Sequence, residues 1–295
     1  MTAGRLIDTF DAFESWWAKA RDLPIDRQID LWASQYMSAW PELLEKQQRN
    51  YAEMGHDWKD IAREHVFGRL GEALEPMREA RGHLLELCPS SWESVREKLG
   101  LDCEVVFVVY VGIGCGAGWV TRYGGTPAVL LGLENIAECG WCERRALTGL
   151  LAHELGHVAH YHWRDQAGAA HGDGPLWDLY AEGFAQYCEH RVAGEDTWHM
   201  NEGTNPAGWA GWCRENLAWL ADEFLRRLND PEGIREFFGS WHEIQGHSQC
   251  GYFLGHELIA EMAAAAPLKD IALLDAPEAE RRIRTGLERL AGREA

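Results

Sequence analysis

Two histidines four residues apart, with a glutamate directly after the first, are the residues of this chain best suited to chemistry: His153-Glu154-Leu155-Gly156-His157. On a helix, positions four apart lie about 40° apart around the axis, so His153 and His157 project from one face. Two imidazoles so placed can bind one metal ion, zinc above all. Glu154, next to them, reaches a water on the open side of that ion. The chemistry expected is hydrolysis by an activated water, with His153 and His157 as ligands and Glu154 as the base.

The third ligand decides the class. A metzincin continues with Gly at the third position after the second histidine and His at the sixth. Those positions are His160 and Trp163 here, which excludes that class. A straight helix does not easily wrap three consecutive turns around one ion, so His160 and His162 are expected outside the ligand set. A second helix is the better source. Leu176 to Arg191 reads as helical and offers Asp178, Glu182 and Glu189, and periodicity alone does not choose among them.

The stretch Glu182-Gly-Phe-Ala-Gln-Tyr187 resembles the Glu-Gly-Phe-Ala-x-Tyr segment that carries the third zinc ligand in gluzincins of the M1 aminopeptidase type, and it follows the His-Glu-x-x-His in the same order. The resemblance implies Glu182 as the third ligand of a Zn2+ cofactor and a zincin-like catalytic domain. Tyr252-Phe-Leu-Gly255 resembles the family's Tyr-x-x-Gly, whose tyrosine donates to the oxyanion. That implies Tyr252 as a catalytic donor, with His256, His242 and His247 as the alternatives nearby. Gly132-Leu-Glu134-Asn135 is similar to the segment with which those aminopeptidases grip a substrate's amine, which implies Glu134 and Asn135 as substrate-binding residues. The chain departs from the family in a longer gap between His157 and Glu182 and in Ala181 where Asn is usual. As a whole it is similar to bacterial zinc proteases inferred from sequence, which have a helical N-terminal part and no established substrate.

The elements that must position these residues follow from pattern. Up to about Leu99 the chain reads as helical: Ile29 to Tyr51 and Trp58 to Leu87 show apolar residues at spacings of three and four, punctuated by Pro24, Pro41 and Pro89. Glu104 to Val111 and Thr126 to Leu133 read as strands, and the second is expected to bind substrate backbone as an added strand. Between them, Gly112 to Gly118 holds four glycines, with no Lys-Ser/Thr to make it a phosphate loop. Helices are expected over Glu143 to Trp163, Leu176 to Arg191, Trp209 to Leu228, Gly251 to Ala266 and Pro277 to Arg293. This order predicts a mostly helical α+β protein: a helical layer over residues 1–99 packed on a zincin-like domain with a small sheet over residues 100–295.

Composition narrows the partners. With 295 residues and 46% hydrophobic content the chain can bury a sizeable core, to which its 15 tryptophans are expected to contribute. A net charge of −19 repels nucleic acid and anionic membranes, leaving a peptide or protein substrate. No apolar run of membrane-spanning or signal-peptide length occurs, so a soluble cytoplasmic protein is expected. In that setting the eight cysteines are expected as thiols, and Cys139 and Cys142, a lone Cys-x-x-Cys, lack the second pair of a four-thiolate site. The function expected is zinc-dependent peptide hydrolysis, endo- or exopeptidic. The alternatives are a non-catalytic zinc-binding or peptide-sensing module and a thiol redox protein using Cys139 and Cys142.

Overall fold

The run Val105–Val111 has no charged side chain and seeds a sheet in a computed structural model that describes residues 4–195, 197–239 and 241–293. Strand β2 (Val106–Tyr110) is buried along its whole length. It pairs in parallel with β1 (Arg5–Asp8) on one side and with β4 (Thr126–Gly132) on the other. Strand β3 (Gly118–Tyr123) adds antiparallel to β4, giving the order β1-β2-β4-β3. Two expectations are corrected here. The N-terminus is not wholly helical, because Arg5–Asp8 is a strand too short to display alternation in sequence. Strand β4 is internal and paired along both edges, so it has no ladder positions left for a substrate; the sheet's edges are β1 and β3.

The chain gathers into two compact units, Met1–Glu93 with Asp102–Leu147 and Ser94–Leu101 with Thr148–Ala295. The N-terminal helices thus share a unit with the sheet, whereas the boundary expected at residue 99 separated them. In this first unit α1 (Phe10–Ala20), α2 (Pro41–Glu53) and α3 (Leu70–Leu99, of which the part up to Glu93 belongs here) are the longer helices, joined by shorter helical turns. Tyr36 ties them to the sheet. Its hydroxyl lies 2.6 Å from Thr9 Oγ1 and accepts the Val111 N–H at 3.1 Å, while Trp32 Nε1 donates to Val111 O. Pro41 divides the helical run read over Ile29 to Tyr51 and stands at the first position of α2, but Pro89, like Pro76, lies inside α3. Each proline removes a backbone donor there. Burial of Met77, Ala80, Leu84, Cys88 and Trp92 outweighs that loss.

After β4 comes α4 (Leu133–Cys139), and then α5 (Arg144–Ala167), whose stretch from Gly149 to His160 is buried on every side. The second unit adds α6 (Pro175–Ala193), α7 (Leu217–Arg227), α8 (Cys250–Ala265) and α9 (Ala276–Leu290). Helix α8 lies along α6, and α9 packs on α6 and α7. The helix expected over Trp209 to Leu228 is broken at Asn216, where Trp212 O accepts from both the backbone N–H and the side-chain amide of Asn216. The molecule is thus α+β and mostly helical with a small mixed sheet. Among the described residues, no helix is long and apolar enough to cross a membrane.

Candidate metal centre

Glycines bring the second unit's helices close. A Cβ on Gly156, between the two histidines of α5, would stand 2.7 Å from Cys188 Cβ and 3.0 Å from Ala185 Cα of α6. A Cβ on Gly183 would fall 2.3 Å from the Gly255 carbonyl of α8. With no side chain at these points, α6 sits against both neighbours, and Glu182 faces the two imidazoles.

The result is a tight cluster. His153 Nε2 and His157 Nε2 each lie 3.2 Å from the same oxygen, Glu182 Oε2. The imidazole planes cross at 82°, with centroids 4.9 Å apart. Donor atoms bound tetrahedrally at about 2.0–2.1 Å from a zinc ion are about 3.3 Å apart. The spacing found is therefore close to that of a ligand set around one ion, and two imidazoles with one carboxylate are the donors such an ion takes in an open, three-ligand site. The residues present fit the metal.

Electrostatics prepares them. Burial would raise the Glu182 carboxyl, but the His157 charge and the hydrogen bonds from both histidines hold it well below the ordinary carboxylate range. Burial would lower His157, yet Glu182 keeps it above its ordinary value. Glu154 is 5% exposed, and burial raises its carboxyl, with Glu182 adding to the rise and His153 and His157 opposing it. A carboxyl raised in this way holds its proton more tightly than an exposed one.

Of the other expected residues, Tyr252 is brought to the cluster: its ring lies 5.4 Å from that of His153. His256 instead packs on His190 at 4.2 Å and on Trp198, His247 stacks on Trp212, and His242 is exposed. His160 is enclosed by Phe184, Tyr180 and Trp177. Asp178 is exposed, and Glu189 is occupied by His199. Glu134 and Asn135 belong to the other compact unit, where they organise the glycine loop. Glu134 accepts from the N–H groups of Gly112 at 2.7 Å and Gly114 at 3.1 Å, and Asn135 Oδ1 accepts from Gly116 N.

Two residues at the cluster escaped the reading of the sequence. Tyr161 stacks near His157 at 6.2 Å, and burial first, then the negative charges of Glu182, Glu154 and Asp178, push its hydroxyl up to about 12. Its spacing of four from His157 was the available signal. His199, 5.3 Å from His153 ring to ring, lies on a short turn after α6 with no spacing to mark it. Cys139 and Cys142 are buried, no cysteine is in a disulfide, and burial pushes the Cys142 thiol up to about 11, which suits a packed residue better than a reactive one.

Comparison of the chain with protein-family models, curated proteins and solved structures finds no match.

Proposed function

We propose that this chain is a zinc-dependent peptidase of the gluzincin type with a zincin-like catalytic part, acting on a peptide or protein substrate. The observation that carries the reading is the convergence of His153 Nε2 and His157 Nε2 on one oxygen of Glu182 at 3.2 Å, with Glu154 buried beside them. His153, His157 and Glu182 would hold the metal. A zinc ion held there would supply Lewis acidity for a water whose pKa it lowers towards about 7 and for the scissile carbonyl. Glu154 takes the water's proton and delivers it to the departing amine nitrogen. Tyr252, beside His153, donates its hydroxyl proton in a hydrogen bond to the carbonyl oxygen as negative charge builds there. A purely structural site needs no buried carboxyl beside its ligands, and Glu154 is such a group.

The test has two arms. Metal content of the purified protein, by mass spectrometry, is expected at about one zinc per chain. Cleavage of a mixed peptide library is expected to fall about 10²–10⁴-fold in Glu154→Gln while the metal stays. Undiminished cleavage in that variant sinks the assignment. Zinc with no cleavage of any peptide favours the sensing module. One peptide offered with a free and with an acetylated N-terminus separates aminopeptidase from endopeptidase.

A further inference from the structure

His153 has a second ring nitrogen. Its Nε2 faces Glu182, and its Nδ1 is buried with no hydrogen-bond partner among the described residues. When Nε2 of a neutral imidazole is given to a metal, the ring proton resides on Nδ1 and must find an acceptor. Glu189 and His199 are the polar side chains that cluster with His153 on this side. Glu189 is fully buried; its Oε2 accepts from His199 Nδ1 at 2.6 Å and Gln186 Nε2 at 2.9 Å, and its Oε1 accepts from the His199 backbone N–H at 2.9 Å. Donor atoms of His153, Glu189 and His199 all lie within 4.8 Å of one another.

The backbone makes room for this pair. Gly149 stands one helical turn before His153, and a Cβ there would meet Glu189 Oε1 at 2.6 Å and His199 Cβ at 3.0 Å. The carboxylate therefore occupies a notch in α5 that only glycine leaves open, directly below the ligand histidine. Three hydrogen bonds fix it in that notch, and a carboxylate held so firmly has a defined direction from which to accept.

We propose that Glu189, clamped by His199 and seated over Gly149, is the positioning residue of His153: it accepts the Nδ1 proton and so sets the tautomer and ring orientation in which Nε2 is offered to the metal. The inference rests on the metal-centre reading and not on catalysis.

The experiment is metal affinity by chelator competition, with the visible spectrum of the cobalt(II)-loaded protein, for wild type, Glu189→Gln and Gly149→Ala. Circular dichroism of the metal-free proteins checks the fold. Affinity is expected to fall about 10- to 100-fold in both variants, with shifted cobalt bands. Wild type that binds no metal overturns the metal-centre reading and this inference with it. Wild type that binds, with variants unchanged in affinity and spectrum, overturns this inference alone. Two ions per chain also overturns it, because Glu189 and His199 would then be ligands. If the variants do not fold, the zinc-loaded wild type decides through its 15N-histidine spectrum. A hydrogen-bonded, downfield Nδ1 proton on His153 is expected, and its absence overturns the proposal.

Discussion

The Nε2 of His157 stands 3.2 Å from Glu182 Oε2, although the two residues belong to different helices and are 25 positions apart. Of the three carboxylates that α6 offered as third ligand, Glu182 alone hydrogen-bonds both histidines. Asp178, one turn earlier, is exposed, and Glu189 is committed to His199. Glu182→Ala should therefore lose the metal, while Asp178→Ala and His160→Phe should each keep about one equivalent. Metal content after gel filtration checks this, and a metal-free Asp178→Ala protein with Glu182 intact would reassign the site.

Gly183, directly after Glu182, touches Gly255 of α8, and a methyl group at either position meets backbone rather than a movable side chain. The Cβ of Gly183→Ala would lie 2.3 Å from the Gly255 carbonyl, and that of Gly255→Ala 2.6 Å from Leu179 O. Overpacking of this kind costs about 1–3 kcal/mol, and here it also drives the helix of Glu182 from the helix of Tyr252. Both variants should melt lower and bind metal more weakly. Gly211→Ala, whose Cβ meets nothing within 4 Å, should be neutral or slightly stabilising. Equal melting temperatures across the three would show that the contact does not set the helix spacing.

How much of this was legible in sequence depends on how local each feature is. His153 and His157 share one helix, so their spacing alone places them on one face. Glu182 does not share it, and Asp178, Glu182 and Glu189 are equivalent until α6 is seated by Gly156 and Gly183, whose meaning depends on what they touch. Strands β2 and β4 were visible because burial on both faces makes apolar runs. The four residues of β1 and the half-buried, mixed composition of β3 gave no period to read. The break at Asn216 falls within one continuous apolar period, so periodicity does not record it.

Glu134 should make the first unit's stability depend on pH. Burial raises its carboxyl from the ordinary 4.5 to about 7, against the opposing N–H bonds from Gly112 and Gly114. Between those two values the folded chain holds a proton that the unfolded chain has released, so stability falls as pH rises from about 4.5 to 7 and levels off above. A shift of that size corresponds to a loss on the order of 3 kcal/mol. Urea unfolding at pH 5 and pH 7.5 should show that slope in wild type and a smaller one in Glu134→Gln. Identical slopes would mean that the carboxyl is ionised in the folded protein at both pH values.

Arg164, on the zinc-helix candidate α5, is fully buried and donates to carbonyls: Ala272 O at 2.6 Å, Leu274 O at 2.8 Å and Ala170 O. Its guanidinium also lies over the Trp177 ring of α6 at 4.8 Å. Two of those carbonyls belong to the connection leading into α9, which packs on α6, so one side chain fastens the C-terminal helix to the helices that bear the site. Arg164→Ala would leave the carbonyls unsatisfied beside a cavity, a loss of about 3 kcal/mol or more. Lysine keeps the charge but not the planar fork that serves several carbonyls at once, so Arg164→Lys should fall between wild type and alanine. The local consequence is the sharper test. Hydrogen exchange over Ala276–Leu290 should accelerate in Arg164→Ala more than exchange over the sheet strands Val106–Tyr110 and Thr126–Gly132, which lie in the other compact unit. Equal acceleration in both would assign Arg164 a global contribution to stability rather than the fastening of α9.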